Sequence, residues 1–355
     1  MMSSKSTMRE GEAGREHSRR MPPPGTPIGG VRSDLNTMLL PLFSEQPDAT
    51  AFQTEIDGCT LTMHSDEDGV RLPTSLDRKI LNLISAHVRD AIRVGGRPTR
   101  HITIHRQELL DLLNGSGTHA GGADYRRLTE RLQRLLSVRI VAERAIGGST
   151  SRRRHFRWID AFEEDLYQTG RGKELVKLKI SLSEDAFVWI TRFEGFDMSH
   201  QDFTAMTSPS ASISRIFDIC LAKLVASRGS DVFIQIDELR RRIPINNELK
   251  GFKARTLKTA MAAIANNDFM SQMLSLELCR QTDDGYMPLA GRAPLEEVYL
   301  KITRGPGDLP SVNCLLPEDK DHVEGEDTPG GAFASLTAEE DESLPLFREV
   351  AMTGP

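Results

Sequence analysis

The stretch RHITIHRQELLDLLNGSGTHAGGADYRRLTERLQRLLSVRIVAERA, residues 100–145, changes its apolar period several times, and that order decides the fold. RHITIH alternates as a brief strand, and RQELLDLLNG predicts a short helix ending at Asn114-Gly115. After the polar loop SGTHAGG, Tyr125, Leu128, Leu132 and Leu135 recur at spacings of three, four and three. Those spacings put them on one stripe of a helix facing a core. At about 100° per residue, Arg127, Arg131 and Arg134 form a second stripe on another side. VRIVAERA then returns to a strand period.

Outward from this centre the pattern extends both ways. AFQTEIDGCTLTMH, residues 51–64, predicts two short strands around Asp57-Gly58, a dipeptide whose residues tolerate the positive φ of a tight hairpin. RLPTSLDRKILNLISAHVRDAIRVGG, residues 71–96, predicts an amphipathic helix capped at Thr74 or Ser75 and stopped by Gly95-Gly96. Downstream, IGGSTSRRR and HFRWIDAFEEDLY predict a flexible basic tip and a returning strand. Helix, strand, short helix, arginine-bearing helix and hairpin is the order of a winged helix-turn-helix. KELVKLKISLSEDAFVWI adds a strand and a helix capped at Ser183.

A second pass of the same order follows. Residues 209–227 predict a helix, and VFIQIDELRRRI a strand and short helix. In ELKGFKARTLKTAMAAIANN, Leu257, Met261 and Ile264 point inward while Arg255, Lys258 and Thr259 point away. MLSLELCRQTDDGYMPLA and EEVYLKIT supply the strands, with Asp284-Gly285 able to turn a wing. The expected fold class is α+β, two tandem winged-helix domains with disordered tails. Its expected division is a tail at 1–50, domains at 51–205 and 206–304, and an acidic tail at 305–355.

Charge is segregated along the chain. The net charge is −6, yet residues 318–349 hold eleven acids against Lys320 and Arg348, a balance of −9, so the remainder is +3. Residues 124–157 hold ten arginines against Asp124, Glu130 and Glu143, a local +7. Residues 1–36 and 305–343 are rich in Gly, Pro and Ser and too poor in large apolar side chains to offset their ordering entropy. The acidic tail is expected to suppress non-specific DNA contact by competing for the basic faces.

Several function classes fall away. No apolar run approaches the roughly 18 residues of a membrane span, and the first residues lack the apolar core of a signal peptide, so a cytoplasmic protein is expected. Cys59, Cys220, Cys279 and Cys314 are isolated, without the paired spacing of a zinc or redox site. His101 and His105 of HITIH would lie about 13 Å apart on a strand, too far to share one ion. GRGK lacks the spacing and the Ser or Thr of a phosphate loop. No catalytic residue, metal or cofactor is expected, and the protein is read as a non-enzyme.

The quoted residues resemble the bacterial plasmid replication initiators grouped as replication initiator protein A. The likeness runs from about Phe52 to Arg304. It is clearest in the G-x-D-Y-x-R-L start at residues 122–128 and the R-L-x-x-x-x-I exit at 134–140, and it continues in KISLSEDAFVWI and ELKGFKARTLKTAMAAI. It implies origin DNA as ligand, two winged-helix domains, and recruitment of host replication proteins. On that likeness Arg126, Arg127, Arg131 and Arg134 fall on the first DNA-facing helix, and Lys253, Arg255 and Lys258 on the second. Arg152, Arg153, Arg154 and Arg157 would lie on the neighbouring wing, so that residues 126–157 form one ridge along a duplex. Arg240, Arg241 and Arg242 are read either as backbone contacts or as a solvated helix end.

LPLF occurs twice, at 40–43 and 344–347. The second copy, with Leu344, Leu346 and Phe347, resembles the Q-L-x-L-F peptide that enters the bacterial sliding clamp, with Ser343 in place of the leading Gln. Docking on the protein's own body is the alternative for either copy. Other functions left open are an autoregulatory winged-helix repressor, a nicking enzyme and a scaffold. Monomer and homodimer are equally open.

Overall fold

The computed structural model describes residues 30–46, 48–56, 58–114, 122–147, 150–169, 172–207, 210–243, 249–283 and 285–316. The chain enters as β1 (Val31–Asp34) and α1 (Leu35–Leu39), followed by β2 (Ala51–Ile56) and β3 (Cys59–Ser65). The last two form the expected hairpin, Ile56 opposite Cys59, and Gly58 supplies the positive φ that the turn requires. Next come α2 (Ser75–Arg93), β4 (His101–His105), α3 (Arg106–Asn114) and α4 (Gly122–Ser137). Leu128, Leu132 and Leu135 are fully buried and Tyr125 packs beside the core, as their spacing requires.

The strands after α4 pair differently from the sequence reading. β5 (Val138–Gly147) and β6 (Thr150–Phe156) do form a hairpin, but it joins β3 in a sheet of order β2-β3-β5-β6. The stretch expected as one returning strand is split: β6 ends at Phe156, Trp158 is buried, and β7 (Ile159–Thr169) begins a new hairpin with β8 (Gly172–Leu182). That second hairpin pairs with β4 in the order β4-β8-β7. The reason is apolar matching across the strands. Phe52, Met63, Ile140 and Phe156 stand in one cross-strand row, so β5 and β6 bury their inner face only when β2 and β3 lie beside them.

The expected N-terminal tail, 1–50, is corrected over its second half, because Val31 to Ser44 are buried throughout. β1 pairs antiparallel with β9 (Gly195–Met198), which follows α5 (Glu184–Arg192). Asp34 caps α1 by accepting from the Thr37 N–H and the Trp189 indole N–H, at 2.9 and 2.7 Å. Leu40, Leu42 and Phe43 of the first LPLF enter the core, where Phe43 stacks on Trp158. Average composition concealed these few apolar residues, whose burial is enough to order a short segment. At the other end, residues 305–316 also lie on the body: Asn313 bridges Gly195 and receives the Arg32 guanidinium. The segments expected as tails at 1–29 and 317–355 lie outside the described residues.

α6 (His200–Thr207) leads to the second pass: α7 (Ala211–Ala226), β10 (Val232–Gln235), α8 (Ile236–Arg241) and α9 (Leu249–Gly251). α9 continues through a π-helical turn, Phe252–Leu257, into α10 (Lys258–Ala265). α11 (Asp268–Met273), β11 (Leu274–Thr282), β12 (Gly285–Pro288) and β13 (Val298–Arg304) complete it, and the sheet order is β10-β13-β11-β12. The two passes therefore share part of a pattern: the strand before the short helix pairs with the last strand, and a strand that follows the long helix lies beyond it, β7 in the first pass and β11 in the second, while β5, directly after α4, joins β3 instead.

Buried charge joins the two passes. Arg78 on α2 reaches Asp218 on α7 at 2.5 Å, both nearly inaccessible. Arg215 on α7 donates to the carbonyls of Thr37 in α1 and Leu40 just after it, and fully buried Arg242 bonds Glu238. Burial pushes the Asp218 carboxyl above the ordinary range and the Glu45 carboxyl up to about 7, although Arg215 and Arg78 oppose the shift at both. Removing one partner from such a pair leaves an uncompensated buried charge. Asp218→Ala is thus expected to destabilise the chain by about 3–5 kcal/mol, read from urea unfolding.

Asp34 makes stability depend on pH. Burial raises its carboxyl from 3.8 to about 6, against the opposing hydrogen bonds from Trp189 and Thr37. Between these values the unfolded chain has lost a proton that the folded chain retains, so stability falls as pH rises through the window and is fully present below it. Asp34→Asn is expected to flatten that slope, measured as urea midpoints between about pH 4 and pH 6.

Candidate nucleic-acid interface

α4 presents its arginines to two different surroundings. Arg126 and Arg127 are exposed, Arg127 at 68% with Asp124 3.6 Å away, and Glu130 stands between them on the helix wheel. Arg134 is instead structural. Its Nε and Nη2 donate to the two oxygens of Asp77, each at 2.8 Å, and its side chain is 19% exposed while Asp77 is wholly buried. The Asp77 carboxylate also accepts from the Thr74 N–H at 2.7 Å, closing the first turn of α2. Arg131 turns the same way, half-buried, with Nη1 donating to the Leu76 carbonyl at 3.3 Å. Its desolvation and the Arg134 and Arg127 charges lower its pKa, and Asp77 only partly offsets them. The stripe expected to face DNA therefore faces α2 over its C-terminal half.

The arginines of the β5–β6 hairpin also divide, because a strand sends alternate side chains to opposite faces. Arg154 stands across from Ala142 and pairs with Asp185 on α5. Arg152 shares that face, while Arg153 and His155 take the other. Arg153 bonds Glu143 at 2.6 Å yet stays 57% exposed. Arg157 is half-buried just beyond β6, where its carbonyl accepts from Ser183 Oγ. The single ridge expected of residues 126–157 is corrected accordingly: the positions fall on an exposed helix face, a contact with α2, and two faces of β6.

The second long helix is the reverse case. From Leu249 to Ala265 there is no acid, and Lys250, Lys253, Arg255 and Lys258 follow one another. Lys250, Arg255 and Lys258 are exposed, and among the described residues none of the four has an ion pair. Burial and the Lys258 charge lower the pKa of Lys253. Phe252, Leu257, Ala260 and Ile264 are buried at spacings of five, three and four. An α-helix cannot keep residues five apart on one stripe, whereas the wider π turn can. Met261 is only partly buried. Lys250 was missed because it precedes the apolar period, although the absence of acids from 249 to 265 was readable. Of the run Arg240 to Arg242, the first two pair with Asp237 and the third is buried.

His101 and His105 lie on the exposed face of β4, alternating with buried Ile102 and Ile104. The partner-binding candidates Leu344, Leu346 and Phe347 lie outside the described residues. Among the described residues no helix is long and apolar enough to cross a membrane.

Residues 32–264, about two thirds of the chain, match the family described as replication initiator protein A, and the match takes in both basic helices. The chain belongs to the replication initiator protein A family. No curated protein matches it. Among solved structures it is similar to a selenomethionine form of domain 2 and domain 3 of RctB, at 10% identity and a TM-score of 0.47, over 78% of this chain and 99% of that one. A second structure of RctB domains 2–3 gives 10% identity and a TM-score of 0.43, over 76% and 96% of the two chains.

The two kinds of arginine on α4 are separable by substitution. Arg134→Ala strips the partner from buried Asp77 and is expected to cost about 3–5 kcal/mol of stability. Arg126→Ala with Arg127→Ala is expected to stay within about 0.5 kcal/mol of the parent at each site. Urea unfolding of both variants checks the contrast.

Proposed function

We propose that this family member initiates replication of a plasmid by gripping origin duplex DNA through two winged-helix domains and bringing host replication proteins to it, without a catalytic step of its own. The observation that carries the reading is the family match spanning two long helices, each with outward cations and each set into the same order of helix, strand, short helix, long helix and strands. In this reading Arg126 and Arg127 contact DNA from α4, and Lys250, Lys253, Arg255 and Lys258 contact it from the π turn and α10. In this reading the wing of the first domain is β7–β8, because that hairpin pairs with β4, rather than β5–β6. Arg can bond both major-groove acceptors of guanine, so the arginines are the candidates for base reading and the lysines for phosphate.

Six cations neutralising six phosphates give a slope of about −5 for log K against log salt. Replacing a phosphate-contacting lysine with Ala is expected to reduce that slope by about 1 and weaken binding on every sequence alike. Replacing an arginine that reads a base is expected to cost about 1–3 kcal/mol and relax specificity at one position. The measurement is a salt titration of duplex binding for the parent, the Arg126/Arg127 double Ala variant and the Lys253/Arg255/Lys258 triple Ala variant. Affinities and slopes unchanged in both variants would overturn the assignment, and a covalent tyrosyl-DNA product would place the chain among nicking enzymes.

A further inference from the structure

Lys79 stands on α2 one turn after Leu76, and the charges around it share its sign. The residue is 7% exposed, and among the described residues its ammonium has neither a hydrogen bond nor an ion pair, yet that ammonium is not sealed from solvent. The Phe203 ring of α6 lies 6.0 Å from it, at the outer reach of a cation–π contact. Burial lowers its pKa, and so do the Arg131 and Arg78 charges, with no carboxylate among the described residues opposing them.

Arg131 comes to the same turn from α4. It directs one of its donors, Nη1, to the Leu76 carbonyl at 3.3 Å, and among the described residues it has no ion pair. A helical side chain leans toward the N-terminus over the residues three and four before it, which brings Lys79 back over Leu76 and toward that guanidinium. Arg127, one turn earlier on α4, continues the file of cations to the surface at 68% exposure, with Asp124 no closer than 3.6 Å.

The acids nearest this file are engaged elsewhere. Asp77 accepts from Nε and Nη2 of Arg134 and from the N–H and hydroxyl of Thr74. Asp218 holds Arg78. Two desolvated cations that repel each other are unfavourable unless an anion joins them. The fold thus brings donors together without supplying them an acidic partner of its own.

We propose that Lys79, Arg131 and Arg127 hold one phosphate group, with Lys79 at the floor, Arg131 at the side and Arg127 at the mouth. Phosphate suits them because its several oxygens accept at once from a planar guanidinium and from a compact ammonium. A backbone phosphate of a duplex and free phosphate share that chemistry. The duplex source rests on the DNA-binding reading; the site itself does not.

The test uses the 355-residue chain with Lys79→Met, which keeps an unbranched stem, or Arg131→Gln. Thermal unfolding is followed with inorganic phosphate or with chloride at equal ionic strength. For a Kd of about 1 mM, about 10 mM phosphate is expected to raise the parent Tm by about 2 °C or more beyond chloride. Lys79→Met is expected to lose that increment, Arg131→Gln to lose most of it, and the Lys253/Arg255/Lys258 triple Ala variant to keep it. In chloride, Lys79→Met is expected to unfold at or above the parent Tm, because it removes a repelled charge. A lysine that merely packs on Phe203 would instead leave the variant less stable and the increment unchanged.

An increment equal in all chains is the general effect of phosphate on burial and overturns the site, as does one lost only in the triple variant. Should Lys79→Met fail to fold, Arg131→Gln and the triple variant decide. A salt titration of non-specific duplex binding separates the two sources. With a backbone phosphate in the site, the slope of log K against log salt is expected to be smaller by about 1 in Lys79→Met. Equal slopes beside a lost phosphate increment assign the site to free phosphate and overturn the duplex contact. If no chain binds duplex, the DNA reading fails while the unfolding contrast still decides the site.

Discussion

Everything that α4 offers to a ligand depends on one buried carboxylate. Asp77 has no access to solvent, so its charge must be met from within the fold, and it is met by the Thr74 N–H on its own helix and by the Arg134 guanidinium on α4. That fork fixes the last turn of α4 against the first turn of α2. With the C-terminal half so held, Leu128, Leu132 and Leu135 face the core, Arg131 is drawn to Leu76, and Arg126 and Arg127 are left in water. A buried acid in one helix thus selects which arginines of another are free to meet a phosphate.

Arginine plays a structural part well beyond this pair. Arg32, Arg89, Arg215 and Arg242 are all nearly inaccessible, and each bridges elements far apart in sequence or caps a run of carbonyls. Arg215 is telling: three of its five donors are directed at carbonyls in and after α1 and after α8, which lets a charged side chain stand where the two passes meet. The fork geometry of guanidinium suits such multiple acceptors, which an ammonium would satisfy less completely. Counting arginines therefore overstates the surface available to nucleic acid, and the second long helix, with as many cations as α4 but no acids, presents the more open positive face.

Much of the architecture was legible because apolar periods survive in the sequence. The α2 stripe, Leu128 to Leu135, the Asp57-Gly58 turn and the repeated order of elements all follow from spacing. Three features were not legible, each for a physical reason. Which strand β5 and β6 would choose depended on matching Ile140 and Phe156 to Met63, a contact more than seventy residues distant. The N-terminal entry was hidden because fourteen buried residues sit inside a polar, Gly- and Pro-rich surrounding. The division of the arginines was hidden because partner acids such as Asp77 and Asp185 lie on other elements, and strand alternation separates neighbours such as Arg152 and Arg153 that sequence places side by side.

The central claim is that both passes present a basic helix to one duplex at an origin. Hydroxyl-radical footprinting of the parent chain on DNA flanking its coding sequence tests it most directly. The account anticipates protected direct repeats, each covering successive grooves on one side of the helix. A single inverted repeat would speak for repression instead, and uniform cleavage across the flanking DNA would contradict the account outright.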